Sequence, residues 1–162
     1  MKIRKIAIIL AGVSILTVGM SVPVSAEEIE PAGYHVYDVQ EDEATDTWYG
    51  IVRGDYLQAG IAKVKKGNAS GYAYGSGATL AHRDCDHLYV RIYLDESKSG
   101  TDSWGTLNYW TGDAYNESMV TVVSGQYKVT KGDYYRVRGV HSVFQDDVVE
   151  TTGTCTDAIP ID

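Results

Sequence analysis

The stretch Leu88-Tyr89-Val90-Arg91-Ile92-Tyr93-Leu94-Asp95-Glu96 decides the fold. Successive side chains of an extended strand point to opposite sides, so Leu88, Val90, Ile92 and Leu94 define a core face and Tyr89, Arg91 and Tyr93 an outer one. Six further β-prone runs surround it: 57–65, 71–81, 104–111, 118–129, 134–144 and 148–156. Turn-forming clusters separate them, among them Lys66-Gly67-Asn68, Ser97-Lys98-Ser99-Gly100, Lys131-Gly132-Asp133 and Gln145-Asp146-Asp147. No linker is long enough for a crossover helix, so neighbouring strands are expected to be antiparallel. The pattern predicts an all-β fold, an antiparallel Greek-key β-sandwich of about seven strands, immunoglobulin-like or related. Tyr135, just inside the 134–144 run, matches a tyrosine corner, in which the phenol bonds back to the preceding turn.

Upstream of these strands, residues 1–26 have the three parts of a signal peptide. Lys2, Arg4 and Lys5 come first, then an apolar run from Ile6 to Met20, then Val24-Ser25-Ala26 before Glu27. Gly12, Ser14, Thr17 and Gly19 interrupt the run, which sets it apart from the roughly 20 consecutive apolar residues of a spanning helix. Residues 27–53 are acidic with little periodicity and are expected to form a mobile or loosely docked N-terminal arm. That leaves 54–162 as the sandwich domain. At the junction, Arg53-Gly54-Asp55 matches an integrin-binding tripeptide, but Gly-Asp there more simply marks a turn.

The 162-residue chain has 14 basic and 22 acidic residues, a formal charge of −8. Cleavage after Ala26 removes three basic residues and leaves 11 against 22, or −11. Such acidity argues against nucleic acid and anionic membranes as partners, since both recruit clustered Lys and Arg. In an oxidising compartment the two cysteines are expected to pair as a Cys85–Cys155 disulfide. Closing that loop would stabilise the fold by about 4 kcal/mol in the chain-entropy model. A metal site is the competing reading, because His82-Arg83-Asp84-Cys85-Asp86-His87 gathers five possible ligands in six residues. Strand alternation opposes it by separating His82 from Cys85 and His87.

The candidate binding surface is aromatic and cationic. Tyr89, Arg91 and Tyr93 share one strand face, Trp104, Asn108 and Trp110 a second, and Tyr134, Arg136 and Arg138 a third. Were these faces to coincide, the ligand-binding set would be Tyr89, Arg91, Tyr93, Trp104, Trp110, Tyr134 and Arg136, suited to stacking against sugar rings or a protein surface. The plainer reading is cross-strand pairing that only stabilises a solvent-facing sheet. No nucleophile elbow, zinc-protease helix or P-loop is present, and no cofactor or metal is implied. His141, in alternation with Val137 and Val143, reads as a core histidine, and Asp84, Asp86 and Asp95 as solvated turn carboxylates.

The run from Asp133 to Val143, followed by Glu150-Thr151-Thr152 and Thr156-Asp157-Ala158-Ile159-Pro160-Ile161, resembles the C-terminal signature of a family of small secreted proteins of Gram-positive bacteria with a domain of unknown function. The resemblance covers roughly residues 54–161, including Gly77-Ala78-Thr79-Leu80-Ala81 and Trp104. It implies secretion and a β-fold, and it carries no catalytic or binding residue with it. The expectation is a secreted, non-catalytic module that recognises an extracellular glycan or protein. A small extracellular hydrolase and a secreted factor acting on neighbouring cells are the alternatives.

Overall fold

A computed structural model describes residues 31–51 and 56–162. The leader, the first residues of the arm and the Arg53-Gly54-Asp55 tripeptide lie outside the described residues. In chain order the strands are β1 (Gly33–Val39), β2 (Glu43–Gly50), β3 (Leu57–Lys66), β4 (Tyr72–Cys85), β5 (His87–Ser97) and β6 (Gly105–Ala114). They continue with β7 (Glu117–Val123), β8 (Tyr127–Lys128), β9 (Tyr134–Gln145), β10 (Val148–Cys155) and β11 (Ile159–Pro160). All pairings are antiparallel and form two packed sheets. The back sheet runs β1-β2-β3-β4-β7 with β8 beside β4, and the front sheet runs β10-β9-β5-β6 with β11 beside β9.

The alternation in β5 sets the core. Leu88, Val90, Ile92 and Leu94 are fully buried between the sheets, with Val137 and Tyr135 from β9 and Ala62, Val64 and Ala73 from β3 and β4. Removing this much apolar surface from water, at roughly 1.5–3 kcal/mol for each large aliphatic side chain, is the main force holding the sheets together. Tyr135 forms the expected corner. Its phenol reaches the Thr130 carbonyl at 2.7 Å and Glu96 Oε1 at 2.5 Å. Burial first, and then the Glu96 carboxylate, hold that phenol well above its ordinary pKa, so it stays a donor.

Among the described residues eleven strands replace the expected seven, for three reasons. The 118–129 run breaks into β7 and β8 at Gly125, whose φ is +67°. The C-terminal β11 adds to β9 at Tyr134 and Tyr135. The third reason corrects the expected arm, since residues 33–50 form a hairpin whose second strand pairs with β3 from Glu43 to Tyr49. Ala44, Asp46 and Trp48 alternate inward and are buried. The acid run had masked this alternation. Glu43 and Asp42 pair with Lys63 at 2.7 Å and Lys66 at 3.0 Å. Exposed pairs of this kind contribute at most about 1 kcal/mol each, so burial of Trp48 is the larger anchor.

The expected Cys85–Cys155 disulfide is absent, and both thiols are free. Cys155 is level with Arg138 and hence with Tyr93, whereas Cys85 precedes His87, six residues farther along β5. At about 3.3 Å per residue the two lie roughly 20 Å apart, against about 4–7 Å between the Cα atoms of a disulfide. Burial raises the pKa of both thiols.

Candidate functional site

The outer side of the front sheet is built by the strand residues that the core does not use. On β5 these are Tyr89, Arg91 and Tyr93, and on β9 Tyr134, Arg136, Arg138 and Val140, all half-buried. Register places Tyr93 opposite Arg138 on one side and Tyr109 on the other. Trp104 arrives from the loop before β6 and lies over the Arg136 guanidinium, 4.1 Å from charge to ring centroid. A continuous chain of contacts results. Arg136 and Arg138 both hold Asp95, at 3.3 Å and 2.6 Å. Arg138 lies over Tyr93 at 5.0 Å, Tyr93 neighbours Tyr109 at 6.1 Å, and Arg91 sits 5.2 Å from the Tyr109 ring and 5.6 Å from Tyr89.

Asp95 is the residue that sequence reasoning misplaced most. Instead of a solvated turn carboxylate it is 1% exposed. The Arg138 fork grips both its oxygens, at 2.6 and 3.1 Å, and the Thr106 hydroxyl donates to it at 2.8 Å. Burial by itself would raise its pKa, but the Arg138 and Thr106 hydrogen bonds, the Arg138 charge and Arg136 together hold it below the ordinary range. The same pairing raises Arg138.

Trp110 does not belong to this surface. It faces inward opposite Ile92 and packs edge-on against Tyr127, 5.4 Å between centroids. The cause is a β-bulge. Leu94 pairs with Asn108 but Asp95 pairs with Thr106, so Leu107 is an extra residue and the alternation counted from Trp104 is broken. Tyr109, 56% exposed, takes the outward place instead. Tyr134 lies at the rim, its ring packed over Gly100, where an added Cβ would come within 2.9 Å of it.

Two histidine–carboxylate pairs exist in the described residues. At the far end of the same face His87 is stacked between Tyr115 and Phe144, 4.5 and 4.8 Å between centroids, and meets Asp113 at 2.7 Å. On the hairpin, His35 Nδ1 meets Asp46 at 2.9 Å, while the other Asp46 oxygen accepts the Cys155 amide at 2.7 Å. Asp46 thereby caps a strand edge, and the nearby Cys155 thiol has its pKa raised by burial, the reverse of an activated nucleophile.

His141 is fully buried. The Thr79 hydroxyl donates to the Tyr89 carbonyl at 2.8 Å, so it accepts from His141 Nδ1 at 3.1 Å, leaving Nε2 to accept from Thr154 at 2.8 Å. Desolvation lowers its pKa to about 3, so the ring is neutral. Its room depends on Gly60 and Gly139, where a Cβ would meet the ring at 2.5 Å. At the β4–β5 junction Cys85 Sγ turns to the Arg83 carbonyl, 3.3 Å away. No three metal-ligating side chains gather anywhere among the described residues. A cleft of about 470 Å³ adjoins the Trp104 end, lined by Glu96, Ser97, Lys98, Ser99, Asp102, Ser103 and Gly105, and it contains no histidine.

Residues 23–159 match the model of a family described as "Family of unknown function (DUF6147)", and the chain belongs to that family. No curated protein and no solved structure shows significant similarity to it.

Proposed function

We propose that this DUF6147 member is an exported, non-catalytic binding module that holds a glycan or a protein surface on the outer side of its front sheet. One observation carries the reading: Trp104, Tyr93, Tyr109 and Tyr89 lie on one face, interleaved with Arg136, Arg138 and Arg91. Along β5 the series spans from Asp95 to Tyr89, roughly 20 Å at about 3.3 Å per residue. That length suits an extended ligand with several rings better than a single small molecule. Rings provide large, stiff contact area, and guanidinium groups provide directed donors, a pairing that recurs at recognition surfaces. Export is supported by the leader pattern of residues 1–26.

The test is the double variant Tyr93→Ala/Tyr109→Ala, assayed on a glycan array and by pull-down from extracellular material. Retained β-sheet circular dichroism with lost binding is the expected outcome. An unchanged profile against every ligand that the wild type retains would overturn the proposal.

A further inference from the structure

We infer that the ligand of this face is anionic, a polymer of sugar rings bearing acidic groups whose oxygens dock on Arg91. This rests on the binding-module reading above and narrows it to a ligand class.

Arg91 differs from its two companions. Arg136 and Arg138 share the buried Asp95, whereas among the described residues Arg91 forms no ion pair. Its register partners, Val140 and Thr111, are uncharged. Among the described residues its side-chain hydrogen bonding is weak, a long contact from Nη1 to the Tyr93 hydroxyl at 3.4 Å with the Tyr89 phenol as a lesser neighbour. Its Nε is the buried side-chain polar atom left without a partner among the described residues. A guanidinium carries five N–H donors in a planar fork; Nε is shielded, and beyond the long Tyr93 contact the terminal nitrogens keep donors for an incoming oxygen.

The surroundings specify what would use that capacity. Tyr89 and Tyr109 flank the guanidinium at 5.6 and 5.2 Å, and Tyr109 is largely exposed. Two oxygens of a carboxylate or a sulfate fit the fork edge-on, and the ring that bears the group would lie against Tyr109. The face holds three guanidinium groups against two carboxylates: Asp95, which Arg136 and Arg138 share, and Asp113, which His87 meets at 2.7 Å. It is therefore a cationic island on a chain of formal charge −8. Repulsion from the distant acids does not defeat it. Charges beyond about 8 Å are largely screened at physiological salt, while the docked oxyanion would lie within hydrogen-bond reach of Arg91.

The experiment measures binding of the purified protein at 0.15 M salt to polygalacturonate, its methyl ester, dextran sulfate and neutral dextran. Polygalacturonate and dextran sulfate separate a carboxylate source from a sulfate source of the same chemistry. Binding of either, at least about tenfold tighter than its neutral counterpart, is expected. Arg91→Gln should remove that preference, a loss of about ten- to a hundredfold for a hydrogen bond to a charged group. Binding of neither acidic polymer more tightly than its neutral counterpart, measured on the wild type and so independent of any variant's folding, would overturn the inference and leave the binding-module reading intact. Charge preference that survives Arg91→Gln in a folded variant would overturn it as well. If no polymer binds and the Tyr93→Ala/Tyr109→Ala variant behaves as wild type against every ligand, both readings fall.

Discussion

On the back sheet the outward row Tyr34, Tyr49, Ala59, Leu80 and Met119 crosses five strands without a charge. On the front sheet the corresponding row reads Tyr109, Tyr93, Arg138 and Cys155, with Asp95 and Arg136 beside it. The same alternation produced both rows, yet they are held in different ways. The apolar row depends on area and tolerates change. The charged row requires each guanidinium to find an oxygen or a ring, so one buried carboxylate governs the geometry of its neighbours. Fold-level patterning therefore says which residues face out, while charge pairing says which of them are fixed in place.

The largest expected effect is that of pH on the layer between the two faces. Unfolded, His141 takes up a proton near 6.5, and folded only near about 3. Between those values the unfolded chain binds more protons, so stability falls as the pH drops, by up to about 1.4 kcal/mol per unit. Asp95 extends the loss. Its folded pKa is depressed, so its contribution is complete above the unfolded carboxylate value of about 3.9 and disappears as the pH falls through the lower folded one. Urea titrations from pH 7 to 3 should show this slope, and His141→Gln should flatten its upper part; an unchanged slope in that variant refutes the assignment.

Next in size is Asp95→Asn, which leaves Arg136 and Arg138 without their shared charge. A loss of about 3 kcal/mol in urea unfolding is expected, as for a broken buried pair. A loss below about 1 kcal/mol would erase the contrast between the faces. Met119→Ser on the back sheet sharpens it from the other side. Met119 and Tyr109 are equally exposed, each at 56%, but Met119→Ser should change stability by less than about 0.5 kcal/mol and leave ligand binding as it was. Smallest of all is the response to dithiothreitol. With both thiols free, the melting temperature should not move, and a drop of several degrees would restore the cross-link.

Much of the sandwich was legible because burial imposes a period of two. The β5 alternation, the turn clusters and the Tyr135 corner all follow from local chemistry, and each is present. The 33–50 hairpin was not legible, because the acids that decorate it look like a solvated arm until Lys63 and Lys66 are seen opposite them. Of the predicted surface, Tyr89, Arg91, Tyr93, Trp104 and Arg136 come together, Tyr134 stays at the rim and Trp110 is turned inward. A one-residue bulge leaves no mark in composition, yet it reverses every side chain beyond it. Asp95 was missed for a different reason: its burial depends on two arginines about forty positions away.

The Asp95 node also bears on the cost of recognition. A free arginine side chain carries about 2 kcal/mol of rotamer entropy, and immobilising such chains on association ordinarily weakens a complex. Here Arg136 and Arg138 are immobilised during folding, by a carboxylate with almost no solvent exposure, and the Trp104 and Tyr93 rings are braced against them. On the proposed reading, a partner of this face would meet side chains already in place, and the conformational freedom left to restrict would belong mainly to Arg91, Tyr109 and the partner itself.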